Sequence, residues 1–296
     1  MNVFQEQNTF VLPEELACKY EIKSCVEYTE QTGAYLLRER SSKRLFLLKT
    51  ACGSVYAEML ANEKSILEYI HKTEHAPLAA AFPIPVHLNV HNQHPSYKNG
   101  FPDPSGSSGR PFLCGKKGGI TFYIRTYIEG KTLEELCETN YSRPGLSFVE
   151  TLDYGINLAG LLRFMHQMNP PLIHRDIKPQ NVIVSTDGTC HFIDFGISRL
   201  HQAPFHSSIS RMGTKLTAPP EQFYRQTDVR SDLYSFGILL FYCMTGEYQI
   251  TEHCLGELPV FFQHIIEKLT MPDPDMRYQN ADALIEDLLA ARSSVL

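Results

Sequence analysis

An acid, an ammonium and an amide lie within one short stretch at Asp176, Lys178 and Asn181, and a second acid follows at Asp194. That set of groups suits phosphoryl transfer from a metal-bound nucleotide. Magnesium takes hard oxygen ligands, and Asn181 and Asp194 supply them. An acceptor hydroxyl has to be oriented and relieved of its proton, which makes Asp176 the candidate base. Lys178, two residues on, shares a side of an extended loop with Asp176 and can neutralise charge on the group in transit. The phosphate donor needs a cation of its own. Lys49 ends the β-prone run 44–49, where side-chain alternation puts Leu47 and Lys49 on one face and Phe46 and Leu48 on the other. If the first face is turned to the nucleotide, the ammonium reaches its phosphates and needs a carboxylate to fix it.

The elements that must position these groups can be read in order. Residues 54–71 carry Val55, Met59, Ile66 and Ile70 in one stripe at helical spacing. Glu63 falls inside that stripe, where a charge is costly unless paired; Glu58 and Glu68 lie on its flank and back. Glu63 is therefore the partner chosen for Lys49, the alternative being an ordinary surface glutamate. Residues 120–128 form an apolar strand that ends at Glu129-Gly130. Thr132 then opens a short helix that it could cap. Residues 148–168 form an amphipathic helix stopped by Asn169-Pro170-Pro171. The runs 182–184 and 191–193 flank a turn at Asp187-Gly188, a hairpin that delivers Asp194 directly after a strand.

His174-Arg175-Asp176 with Asn181 five residues after the Asp, followed by Asp194-Phe195-Gly196, resembles the catalytic core of the eukaryotic-type protein kinases. Gly213-Thr214 and Pro219-Pro220-Glu221 downstream extend the likeness. The resemblance implies an α+β, bilobal kinase fold with a small β-rich lobe carrying one main helix and a larger, mostly helical lobe. Residues 1–128 would be the N-lobe, a five-stranded sheet plus the C-helix with an insertion at about 89–119. Residues 129–296 would be the C-lobe, holding the catalytic loop, the activation segment and the helical core. It further implies a serine/threonine protein kinase that moves the γ-phosphate of ATP, with Mg2+, to Ser and Thr hydroxyls of proteins. Backbone groups of Thr126 and Ile128 would bond the adenine edge, with Leu47 above the ring and Thr132 near the ribose. Thr214 would contact Asp176 and Lys178, Asp232 would bond the catalytic-loop backbone, and Arg277 would pair with Glu221. Tyr234 stands where the family usually has Trp. In kinases bearing Arg at the position of Arg175, a phosphorylated residue of the activation segment pairs with it. Autophosphorylation is accordingly expected at Ser207, Ser208 or Ser210, with Ser208 and Ser210 favoured; the alternative is a serine-rich loop with no switch.

The sequence departs from the family pattern in four places. Between Ser24 and Leu36 the only glycine is Gly33, and Glu27 and Glu30 accompany it, although a phosphate-covering loop uses glycine where amides approach closely. Leu47 replaces a small residue above the adenine, and Arg125 stands at the gatekeeper position. The stretch between Thr245 and Ile265 is short for the helix that many kinases use for docking. The first three departures fall on the nucleotide pocket and support an alternative reading, a pseudokinase acting as a nucleotide-binding or scaffold module. A third reading is a kinase-fold transferase acting on a small molecule. Against both stands the full set Lys49, Glu63, Asp176, Lys178, Asn181 and Asp194, since none of these polar groups is needed to pack a core.

Whole-chain properties narrow the class. The chain has 296 residues, 43% of them hydrophobic, ample for two lobes. A net charge of −6 argues against a chain built to coat nucleic acid. The 8 cysteines include no C-x-x-C pair, so free thiols in a reducing cytoplasm are expected. No basic region followed by an apolar run marks the N-terminus as a secretory signal. The longest apolar run, 236–244, is too short to span a membrane. Residues 89–119 are crowded with Pro, Gly, Ser, Asn and His and read as a surface insertion. His87, His91 and His94 lie in or beside it without a fourth ligand, so a solvated loop is favoured over a metal site.

Overall fold

Alternating burial along Thr32–Glu39, where Gly33, Tyr35 and Leu37 are buried and their neighbours are not, builds the N-terminal part of the chain as a sheet. The computed structural model describes residues 10–72, 77–86, 112–113, 120–139, 144–201 and 214–294. The chain divides into two compact units, one from the described parts of Met1–Ala61 and Ile84–Tyr127, the other from those of Asn62–Pro83 and Ile128–Leu296. The expectations for residues 89–111 and 114–119, for His87, His91 and His94, and for Ser207, Ser208, Ser210 and Gly213 concern positions outside the described residues.

The first unit begins with α1, Glu14–Ala17, and continues with strands β1, Tyr20–Tyr28, β2, Thr32–Glu39, and β3, Leu45–Cys52. Strands β4, Phe112–Leu113, and β5, Ile120–Thr126, complete an antiparallel sheet of order β1-β2-β3-β5-β4. Tyr20, Tyr35, Leu37, Phe46, Leu48, Phe122 and Ile124 are buried together with Leu16 in one core. The opposite face carries the cross-strand pairs Leu47↔Arg125 and Lys49↔Tyr123. Leu47 and Lys49 thus share a face and Phe46 and Leu48 face the core. Gly33 pairs with Thr50, and a Cβ there would lie 2.8 Å from the Thr50 Oγ1 and from the Tyr35 ring. The glycine is needed for that close approach.

The strand expected over 120–128 stops at Thr126. The next extended residues, β6, Gly130–Thr132, pair instead with β8, Val182–Ser185, in the second unit. A Cβ on Gly130 would sit 2.3 Å from the Val184 carbonyl oxygen, so only glycine lets that ladder begin. Strand β9, Cys190–Phe192, completes this sheet in the order β6-β8-β9, and β7, Leu172–Ile173, pairs with β10, Arg199–Leu200. The helix read at 54–71 is α2, Ser54–Lys72, of which Asn62 onward belongs to the second unit.

Helices dominate the second unit: α3, Leu133–Glu138, α4, Phe148–Gln167, α5, Val229–Thr245, α6, Glu252–Gly256, α7, Val260–Leu269, and α8, Ala281–Ser293. Ser147 and Glu150 close a capping box at the start of α4, which packs on α5 and α8. Helix α5 is buried along most of its length, which is why its stretch Phe236–Met244 is apolar on every side. Among the described residues no helix is long and apolar enough to cross a membrane. Between α5 and α7 the chain forms only the 5-residue α6.

Candidate active site

The site is built outward from a buried acid. Asp232, in the first turn of α5, has no exposure. Its Oδ2 accepts the His174 amide at 2.8 Å and its Oδ1 the Arg175 amide at 2.8 Å, while His166 Nε2 lies 3.0 Å from Oδ2. Arg175 has φ +69°, a left-handed conformation that costs a non-glycine residue about 1–2 kcal/mol. Its carbonyl accepts from the amide nitrogen of Gln222 at 3.0 Å. The residue before Asp176 is thus held on its N–H side by Asp232 and on its C=O side by Gln222, and that grip over-determines the strained backbone.

Asp176 follows, and three donors converge on its carboxylate. The Thr214 hydroxyl donates to Oδ1 at 2.9 Å. Asn181 Nδ2 donates to Oδ2 at 2.8 Å, and Lys178 Nζ stands 2.9 Å from the same oxygen. Lys178 Nζ also donates to Thr214 Oγ1 at 3.1 Å, closing a ring of acid, hydroxyl and ammonium. A carboxylate offers about four lone-pair positions, so the three donors orient it and leave it able to accept from a further hydroxyl.

The amide nitrogen of Asn181 donates twice to Asp176, to the side chain and to the backbone carbonyl at 2.9 Å. Its oxygen is therefore the atom Asn181 can offer a cation. The Asn181 carbonyl accepts from the Ile193 amide at 3.1 Å, which brings Asp194 off the end of β9 beside it. Among the described residues no three His, Cys, Asp or Glu side chains are grouped to hold a metal ion. An amide oxygen and a carboxylate fit magnesium, which keeps several waters and takes the rest of its ligands from substrate phosphates. Asp194 Oδ1 also accepts its own loop amide, Gly196 N, at 2.9 Å.

Aromatic packing fixes the ground beneath these groups. His174 lies 4.8 Å, ring centre to ring centre, from Phe195 and 5.0 Å from Phe192. The Asp176 amide donates to its Nδ1 at 3.3 Å, and burial pushes the imidazole below the usual histidine range, so it is neutral. Asn62 of α2 donates to the carbonyls of Phe195, Gly196 and Ser198. Thr132 caps α3, its Oγ1 accepting the Glu135 amide at 3.1 Å, and it sits opposite Ile183, two residues from Asn181.

The remaining sequence-derived residues fall as follows. Lys49 and Leu47 lie on β3 of the first unit. Thr126 also belongs there and donates its amide to the Ile84 carbonyl at 2.9 Å. Glu63 is buried on α2 and Ile128 precedes β6, both within the second unit. The turn between β1 and β2 is closed by Thr29, whose Oγ1 accepts the amides of Gln31 at 3.2 Å and Thr32 at 2.9 Å.

The family model for the protein kinase domain matches residues 119–294, more than half of the chain. The chain belongs to the protein kinase domain family. Its β-rich first unit and mostly helical second unit have the α+β architecture of the kinase fold. A probable serine/threonine-protein kinase of Clostridium perfringens is 32% identical over 199 residues, 59% of this chain and 28% of that protein. A probable serine/threonine-protein kinase of Clostridium acetobutylicum is 28% identical over 195 residues, 59% of this chain and 29% of its own. The serine/threonine-protein kinase PknB of Mycolicibacterium smegmatis is 26% identical over 305 residues, 94% of this chain and 43% of its own. The kinase domain here spans less than half the length of these curated relatives.

Two further features of this kinase domain lie around Pro219-Pro220-Glu221. Arg277 and Glu221 form a buried two-pronged pair, Nη1 to Oε1 at 2.7 Å and Nη2 to Oε2 at 2.9 Å. The Arg277 guanidinium also lies over the ring of Tyr234, 4.8 Å from its centre, so a phenol serves where the family usually has an indole. Near the catalytic loop, burial and then the charge of neighbouring Arg199 pull the Arg175 guanidinium down to about 10.

Asn62 and Gln222 were not among the sequence-derived site residues. A faint signal existed for Asn62, because asparagine in mid-helix competes with the helix for hydrogen bonds and needs a reason to be there. Gln222 carried none beyond its place after Glu221.

Proposed function

We propose that this chain is a serine/threonine protein kinase that transfers the γ-phosphate of ATP to Ser and Thr hydroxyls of proteins. The observation that carries the reading is the ring around Asp176, in which Lys178, Thr214 and Asn181 all address one carboxylate. In this reading Asp176 accepts the hydrogen bond of the incoming hydroxyl, aligns its oxygen for in-line attack and takes its proton. Lys178, already beside Asp176, offsets charge on the transferred group. Asn181 and Asp194 present the oxygens for magnesium, which when bound neutralises the phosphates. On the sequence pattern, Lys49 is assigned to the α and β phosphates and Glu63 to steadying it, with Leu47, Thr126, Ile128 and Thr132 on the adenosine side. Residues 1–128 are read as the N-lobe and 129–296 as the C-lobe.

Regulation follows from two arginines whose charges disfavour one another. A phosphate on Ser207, Ser208 or Ser210 would relieve the repulsion between Arg175 and Arg199. Free thiols throughout the described residues suit a reducing compartment such as the cytoplasm.

The test is transfer of labelled γ-phosphate from ATP with magnesium to the chain itself and to a generic protein such as casein. Wild type should transfer, and Asp176→Asn should lose a factor on the order of 100 to 10,000 in rate. Asp194→Ala should be inactive at any magnesium concentration. Wild type that transfers nothing to any protein, or Asp176→Asn that retains full rate, ends the proposal.

A further inference from the structure

We propose that Asn62 is a positioning residue for Asp194, gripping the backbone that follows it and so setting the carboxylate offered to magnesium. The inference rests on the kinase reading of Asp194 as a metal ligand. Its starting point is an unusual convergence: the single amide nitrogen of Asn62 lies 3.2 Å from the Phe195 carbonyl, 3.1 Å from that of Gly196 and 2.8 Å from that of Ser198. An amide group has two hydrogens, so three carbonyls share two protons and at least one is bifurcated. Carbonyls of an extended chain point alternately to opposite sides. For three out of four consecutive residues to face one nitrogen, the backbone has to curl around it.

The curl is tied at both ends. Ser198 N donates back to the Phe195 carbonyl at 3.1 Å, and Ser198 Oγ donates to the His174 carbonyl at 2.9 Å, two residues before Asp176. At the other end Gly196 N donates to Asp194 Oδ1 at 2.9 Å. The Asp194 carboxylate is therefore indexed to the very peptide whose carbonyl Asn62 holds. Phe195 is fully buried, packed on Phe82 and His174, so the segment cannot shift as a unit without opening the core.

The chemistry of position 62 is narrowly constrained. Aspartate would set an anion against three carbonyl dipoles, and alanine or leucine would take a donor from all three in a partly buried place, leaving Phe195 O its bond from Ser198 N. Asparagine is a poor helix former, yet α2 accepts it in the middle of its length, next to Glu63. A residue that costs helix stability and satisfies three carbonyls of the Asp194 loop has been placed for that loop.

The experiment compares wild type with Asn62→Ala, with the near-isosteric Asn62→Asp, and with Ser65→Ala, an exposed α2 position, as control. Two readouts are taken, neither of them phosphotransfer: amide hydrogen exchange across residues 194–198, and calorimetric affinity for ADP with and without MgCl2. Both Asn62 variants should speed exchange at Gly196 and Ser198 by about tenfold or more. They should cut the magnesium-dependent gain in ADP affinity on the order of 10-fold, leaving magnesium-free ADP binding unchanged. Ser65→Ala should match wild type in both. Variants with lowered melting temperature but wild-type exchange and magnesium gain would show a merely structural role and overturn the proposal. If Asn62→Ala does not fold, Asn62→Asp decides, and fast exchange at Gly196 and Ser198 in wild type itself would also overturn it. Wild type that transfers no phosphate defeats the kinase reading alone, because the exchange measurement still tests the clamp.

Discussion

Replacing Asp232 by alanine should be among the most damaging single changes in the second unit, in both stability and rate. The carboxylate is fully buried and accepts two catalytic-loop amides, His174 N and Arg175 N, each at 2.8 Å. A hydrogen bond to a charged acceptor contributes about 1.5–3 kcal/mol, so losing both costs about 3–6 kcal/mol. Part is recovered, because Arg175 is released from its left-handed backbone, worth about 1–2 kcal/mol. The net destabilisation is about 1–5 kcal/mol, centred on about 3. The same release turns the next residue, Asp176, away from Thr214 and Lys178, so phosphotransfer by the still-folded fraction should approach that of Asp176→Asn. Asn at 232 keeps one oxygen but faces the other amide with its own NH2, and should fall between wild type and alanine in both measures. The chain has no tryptophan, so urea unfolding is followed by far-ultraviolet circular dichroism, with two transitions fitted if the units unfold separately. Asp232→Ala within about 1 kcal/mol of wild type and fully active would refute the claim that this acid sets the catalytic loop.

Other perturbations separate structural from chemical roles. Arg277→Ala should cost about 3–5 kcal/mol, because it strands the buried Glu221 carboxylate. It also removes the donor to the Met271, Pro272 and Arg230 carbonyls. Glu221→Gln should cost less, and the double change less than the sum of the two, in a urea-unfolding cycle; strict additivity would deny the coupling. Stability should also fall as pH drops below about 6.5, because burial lowers the His174 and His191 pKa values and only the unfolded chain then takes up their protons. The carboxylates of Asp232, Asp176 and Asp194 oppose that shift at His174 and Lys178 reinforces it, as Asp187 and the Ala81 carbonyl oppose it at His191. Above about 6.5 both forms are neutral and no dependence arises from them; below it the slope approaches about 1.4 kcal/mol per pH unit for each histidine until its folded pKa is passed. Melting temperatures that stay level from pH 7.5 to 5.5, or a His174→Phe variant with an unchanged slope, would contradict this.

What the sequence made legible was chemistry with a fixed spacing. Asp176, Lys178 and Asn181 lie so close in the chain that few loop conformations keep them apart, and Thr214 joins them as the kinase resemblance implied. Periodicity likewise marked α2 and α4, because a buried face imposes its period on the residues that fill it, and the Asp187-Gly188 turn marked the β8–β9 hairpin. The sequence was silent where one side chain serves distant backbone. Gln222 grips the Arg175 carbonyl across 47 positions and Asn62 grips Ser198 across 136, and no local pattern announces such partners. The end of β5 was misjudged for a related reason: residues 127 and 128 are as β-prone as those before them, and pairing with β8 is what diverts the chain at Gly130.

The missing glycines of the phosphate-covering loop have a physical counterpart in the first unit. A glycine-rich turn leaves its amides free to meet an anion. Here the turn between β1 and β2 pairs the amides of Thr29, Gln31 and Thr32 internally, since the Thr29 hydroxyl accepts both Gln31 N and Thr32 N while the Thr29 amide donates to the Thr32 carbonyl at 2.8 Å. Two exposed acids, Glu27 and Glu30, stand beside it. The one glycine nearby, Gly33, is engaged in packing against Thr50 and Tyr35. Amides already paired have less to gain from a phosphate, and the two carboxylates repel it. On the proposed kinase reading, nucleotide affinity should therefore lean more on the magnesium assigned to Asn181 and Asp194 than on the amides of this turn, and removing magnesium should weaken ADP binding more than any substitution in the turn does.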